Sequence, residues 1–126
     1  MKLHSLPTTG LLAITTYDAA SIHVNGQCLT RSFILTGERL IEDWPPASIA
    51  DISATDLLPL AGLGCPIVLL GTGRRQHFPP PALLRPLYEH GIGIEVMDTQ
   101  AACRTYNILL AEGRAVAAAL ILEHSA

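Results

Sequence analysis

The sequence predicts an α/β domain built on a mixed central β-sheet. Three observations carry this. Short alternating runs separated by turn signals occupy the chain up to Trp44. From Ile67 onward the pattern changes to strand–helix alternation. An uninterrupted helix signal over residues 100–112 then ends at a glycine and is followed by an apolar run. No internal repeat, low-complexity tract or linker divides the chain, so residues 1–126 read as a single domain.

Residues 1–20, with Pro7, Gly10 and several threonines, read as irregular or edge-strand chain. Residues 21–24 alternate and stop at Asn25-Gly26, a hairpin turn signal, with residues 27–31 as the returning strand. Residues 32–35 continue extended to a second turn at Thr36-Gly37, and residues 39–44 are a further strand candidate. Two or three short antiparallel strands therefore open the protein. Pro45-Pro46 break the pattern and keep Trp44 out of a helix; the tryptophan reads as a core or rim anchor. Ser53-Ala54-Thr55-Asp56 has the spacing of a capping box ahead of Leu57, Leu58 and Leu60, in a short helix that Pro59 disturbs.

Residues 67–70, between Pro66 and Gly71, suit a buried parallel strand. Residues 79–81 precede a helix whose apolar residues are Leu83, Leu84, Leu87 and Tyr88; Pro86 kinks it and Gly91 ends it. Residues 92–97 form the next strand. Asp98 or Thr99 can then cap a helix that Gly113 terminates. On that helix Ala102, Cys103, Tyr106, Leu109 and Leu110 share the face that packs on the sheet. Gln100, Arg104, Asn107 and Ala111 form a polar stripe away from it, and Ile108 lies nearly opposite the core face. The alanines of residues 114–122 suit a helix as well as a strand. A buried strand is the reading taken, because small side chains let a helix pack closely over a central strand.

Composition narrows the function. With 49% hydrophobic and 15% charged residues, the chain is a folded globular protein. A net charge of −3 argues against nucleic-acid or anionic-membrane binding through a basic surface. No signal-peptide core, transit peptide or run long enough to span a bilayer is visible, which points to a cytoplasmic protein of bacterial type. Cys28, Cys65 and Cys103 form no CxxC pair and read as buried reduced thiols. His4, His23, His77, His90 and His124 show no ligand spacing, so no metal or cofactor is expected.

Gly71-Thr72-Gly73 lacks the third glycine of a dinucleotide fingerprint and reads as a tight turn. The turn and the helix start at Asp98 both follow strands, which places them along one sheet edge, where α/β proteins commonly bind ligands. Candidate binding residues there are Thr72, Gly73, Asp98 and Thr99. Arg104 and Asn107 are candidates for contact with a partner or a second structural layer. No nucleophile–base pair is marked locally, so catalytic residues are not assigned.

Met97-Asp98-Thr99, Ala102-Cys103-Arg104-Thr105-Tyr106-Asn107, Glu112-Gly113-Arg114 and Val116-Ala117-Ala118-Ala119-Leu120 together resemble the Mth-type domain family. Leu69-Leu70-Gly71-Thr72-Gly73 and the hairpin over residues 21–26 match in order, so the resemblance covers nearly the whole chain. It implies a single three-layer α/β domain with a mixed sheet, and no reaction or cofactor. A mitochondrial member assists assembly of a respiratory complex, which implies partners among respiratory-complex subunits or assembly proteins. Two readings follow: a non-catalytic interaction protein, or a small-molecule or anion binder or enzyme using the edge near Thr72, Asp98 and Thr99.

Overall fold

The structure, a computed structural model, describes residues 10–123. Pro7, His4 and His124 lie outside the described residues. Strands β1 (Ile14–Tyr17), β2 (Ile22–Val24) and β3 (Gln27–Leu29) form an antiparallel sheet in that order. Asn25 and Gly26 turn the β2–β3 hairpin with φ of 47° and 89°, the left-handed pair that a two-residue loop requires. Strands β4 (Phe33–Thr36) and β5 (Leu40–Ile41) belong to a second sheet of five strands, ordered β5-β4-β8-β6-β7. The opening strands are thus more numerous than predicted and divide between two sheets. The strand expected over residues 39–44 shrinks to Leu40–Ile41, because Asp43 adopts a φ of 60° that leaves the extended region.

Helix α1 (Ala54–Ala61) starts with the capping box: the Asp56 N–H donates to Ser53 Oγ at 3.3 Å and the Ser53 N–H to Asp56 Oδ2 at 3.0 Å. Parallel strand β6 (Ile67–Gly71) follows, then α2 (Pro81–Glu89), β7 (Gly93–Met97), α3 (Thr99–Ala111) and β8 (Val116–Leu120). The C-terminal end of α3 is a Schellman motif, with Gly113 at φ 80°. Its N–H donates to the Leu110 carbonyl, and the Arg114 N–H donates to that of Leu109. Residues 114–122 are therefore a strand region, not a helix. β8 runs parallel to β6 on one side and antiparallel to β4 on the other.

Alternation along the central strands sorts the core into two halves. Phe33, Leu35, Leu69, Ala118 and Leu120 face α3 and the three-stranded sheet, with Ile14, Tyr17, Ile22 and Tyr106. Ile34, Val68, Leu70, Ala117 and Ala119 face α1 and α2, with Trp44, Leu57 and Leu84. The result is three layers about a mixed sheet. One burial expectation is corrected, that of Cys28, and one apolar residue of α2 lies outside the core. Tyr88 is 52% exposed, since α2 turns Leu84 and Leu87 to the sheet and leaves the tyrosine on its flank. Cys28 is exposed on β3, the outer strand of the small sheet, while Cys65 and Cys103 are buried.

Candidate functional site

The three parallel strands β6, β7 and β8 end together, and the predicted edge residues gather there. Thr72 and Thr99 are both buried. Thr99 Oγ1 accepts from the Gly73 N–H at 2.8 Å and donates to the Ile121 carbonyl at 2.7 Å. The Thr99 N–H donates to the Gly73 carbonyl at 2.9 Å, so residue 99 locks the exits of β6 and β8 by three bonds. Thr72 Oγ1 donates to the Arg75 carbonyl at 2.6 Å and accepts from the His77 N–H at 3.1 Å. Its own N–H reaches the Met97 carbonyl. Both hydroxyls are bonded to main-chain atoms, and among the described residues neither is paired with a histidine or carboxylate that would activate it as a nucleophile.

Asp98 caps α3, its Oδ1 accepting from the Ala101 N–H at 2.9 Å. Glu123 lies over Gly73, and its Oε1 accepts from the Arg74 N–H at 2.6 Å. A carboxylate of the chain itself thus covers the glycine turn. The recess left between Asp18, Gly73, Thr99 and Glu123 has a volume of about 10 Å³, room for no more than about one water. Asp18 has its carboxyl held below the usual carboxylate range by the N–H groups of Ala20 and Ser21.

Arg104 and Asn107 face the small sheet. Arg104 is exposed, and its Nη1 donates to the Tyr17 hydroxyl at 2.9 Å, a bond that raises the guanidinium's already high pKa. Asn107 is half-buried and hydrogen-bonds the main chain of Ile14 through both ends of its carboxamide. Both side chains thus bond residues of β1.

Several residues that hold this region together carry no local sequence signal. Buried Ser32 donates to the Pro46 carbonyl at 2.6 Å and accepts from the Leu122 N–H at 2.9 Å. The Tyr106 hydroxyl donates to the Leu12 carbonyl at 2.7 Å. Burial pushes the Cys103 thiol up to about 12 and pushes the Tyr106 phenol up as well, so both stay protonated through the physiological range. Among the described residues no group of three or more His, Cys, Asp or Glu is placed to hold a metal. No helix among them is long and apolar enough to cross a membrane.

The fold and this edge define a small α/β domain whose strand exits are closed by its own side chains. The chain belongs to the family described as "Protein of unknown function (DUF498/DUF598)", whose pattern matches residues 14–121. A crystal structure of a Bordetella parapertussis protein is similar at a TM-score of 0.85 and 45% identity, over 93% of this chain and 100% of that one. A Bordetella pertussis protein solved by NMR, described as a Mth938-like domain, is similar at a TM-score of 0.83 and 38% identity, over 100% of this chain and 95% of that one. The bovine (Bos taurus) protein named NADH dehydrogenase [ubiquinone] 1 alpha subcomplex assembly factor 3 is 34% identical over 110 residues, 86% of this chain. The chain spans 59% of that relative's length.

Proposed function

We propose that this chain is a non-catalytic interaction protein that assists assembly of a respiratory or other membrane-associated complex. Its partners are subunits or assembly proteins of that complex. The similarity to the bovine assembly factor carries this reading. The internal use of the Thr72 and Thr99 hydroxyls supports its non-catalytic part. The contact surface is the exposed flank of α3 beside the small sheet, where Arg104, bonded to the Tyr17 hydroxyl, and the 59%-exposed Ile108 are neighbours one helical turn apart. An arginine beside an exposed apolar side chain is a composition favoured in interfaces.

The test has two arms. Deletion of the gene is expected to lower the amount of fully assembled respiratory NADH dehydrogenase on native gels. Purified Arg104→Ala is expected to bind the captured subunits ~1–3 kcal/mol more weakly than the parent. Its melting temperature is expected to stay within a few degrees of the parent's. Normal levels of every assembled respiratory complex in the deletion strain, with none of their subunits captured by the parent, would overturn the proposal.

A further inference from the structure

A cavity of about 350 Å³ lies at the end of the sheet opposite Thr72 and Thr99. It is a half-open recess bordered by the turn after β4, the segment leading into β6 and the junction of α3 with β8. Its size is that of a small-molecule site. Leu11, Leu110 and Val116 give it an apolar lining. Cys65 adds to this: burial first, and the negative charge of Glu38 second, push its thiol up, so the sulfur stays neutral. The charged side chains on the lining are Glu38, Arg39 and Arg114. All three are exposed, and neither arginine forms an ion pair with another described residue.

The backbone beneath these charges is fixed. Thr36 Oγ1 accepts from the N–H groups of Glu38 at 3.2 Å and Arg39 at 2.9 Å, which sets the turn that presents them. Gly37 packs tightly inside that turn: a Cβ there would stand 3.1 Å from Leu110 Cδ1. Arg114 is held by its N–H bond to the Leu109 carbonyl. The Leu109 and Leu110 carbonyls at the negative end of α3 are occupied by the Schellman bonds, so they do not compete for a cation. Two arginines against one glutamate give the lining residues a net positive formal charge, on a chain whose overall charge is −3.

We propose that this cavity binds a small organic monoanion, its apolar body lying over Leu11, Leu110 and Val116 and its carboxylate or sulfonate accepting hydrogen bonds from Arg39 and Arg114. An apolar lining with two arginines among its residues suits an acid head on a hydrocarbon or aromatic body. Glu38 opposes a second negative charge and so selects the monoanion. This site is separate from the α3 face assigned to protein contact, and its test needs only purified protein.

The probe is 8-anilinonaphthalene-1-sulfonate, titrated by fluorescence, with octanoate, octanol and octylamine as competitors. Amide shifts in NMR spectra with octanoate locate the site. Saturable binding is expected, displaced by octanoate far better than by octanol or octylamine, with shifts centred on Leu11, Glu38, Leu110 and Val116. The double variant Arg39→Ala/Arg114→Ala should raise the Kd by about ten-fold or more at an unchanged melting temperature, while Arg75→Ala, at an exposed arginine elsewhere, leaves it unchanged. Absence of saturable binding at millimolar probe overturns the proposal. So does equal competition by octanol, shifts centred elsewhere, or a Kd indifferent to the double variant.

Discussion

Asn107 on α3 hydrogen-bonds both main-chain groups of Ile14: its Oδ1 accepts from the Ile14 N–H at 3.0 Å, and its Nδ2 donates to the Ile14 carbonyl at 2.7 Å. The two residues are 93 positions apart. β1 is an outer strand of the small sheet, so one side of it lacks a strand partner. The carboxamide supplies one donor and one acceptor there, standing in for the missing neighbour.

Replacing Asn107 removes both bonds at once and leaves a half-buried N–H and C=O unpaired. Asn107→Ala is expected to destabilise the fold by ~1–3 kcal/mol in urea unfolding. It should also speed hydrogen exchange of the Ile14 amide above that of other β1 amides. An unchanged urea midpoint together with unchanged Ile14 exchange would show that the carboxamide contributes nothing to docking the small sheet.

Gly73 carries two constraints that can be separated by experiment. Its φ of 103° is one that L side chains rarely adopt, and a Cβ would collide with the Glu123 carboxylate. Gly73→Ala should therefore cost ~1–3 kcal/mol, part of it backbone strain and part the displacement of Glu123 from the Arg74 N–H. In a Glu123→Ala background the same substitution should cost measurably less. Identical costs in the two backgrounds would assign the whole effect to the backbone.

Cys103 gives the alkaline limb of stability a defined sign. Its folded-state thiol is raised from 9.0 to about 12, by burial foremost. The folded chain keeps a proton that the unfolded chain has released above about pH 9. Stability from this group is complete below that pH and falls as pH rises from about 9 to 12. The raised Tyr106 phenol acts in the same direction. Urea midpoints are expected to decline over that window, and Cys103→Ala should make the decline shallower by up to about 1.4 kcal/mol per pH unit. A variant with the parent's slope would place the loss elsewhere.

What could be read from the residues is what local chemistry dictates. Asn25-Gly26 and Gly113 announce left-handed backbone, and the structure puts φ of 47°, 89° and 80° at those positions. Ser53 and Asp56 announce a helix start because the two bonds of the box span only three residues. The contacts that join the layers follow no such rule. Ser32 to Leu122 and Asn107 to Ile14 cross 90 and 93 residues, and no periodicity encodes such a distance. Residues 39–44 have strand composition, but Asp43 takes a left-handed turn ahead of Pro45-Pro46. The fixed 100° step of a helix also does not reveal how wide a face the sheet will cover. Tyr88 follows the apolar pattern of α2 and still lies outside.

The position of β8 has a consequence in time. It is the last strand among the described residues and sits in the middle of the five-stranded sheet. Before Val116–Leu120 is in place, β4 with β5 and β6 with β7 are two separate ribbons, with no ladder between them. Each of those pairs closes over a short or moderate loop, whereas β4 meets β8 only after more than half the chain has been brought round, so its closure is entropically the slower event. Loop-closure entropy alone therefore favours assembly of this sheet from its outside inward. The two ribbons expose an unfinished apolar edge to each other until the five residues Val116–Leu120 join them.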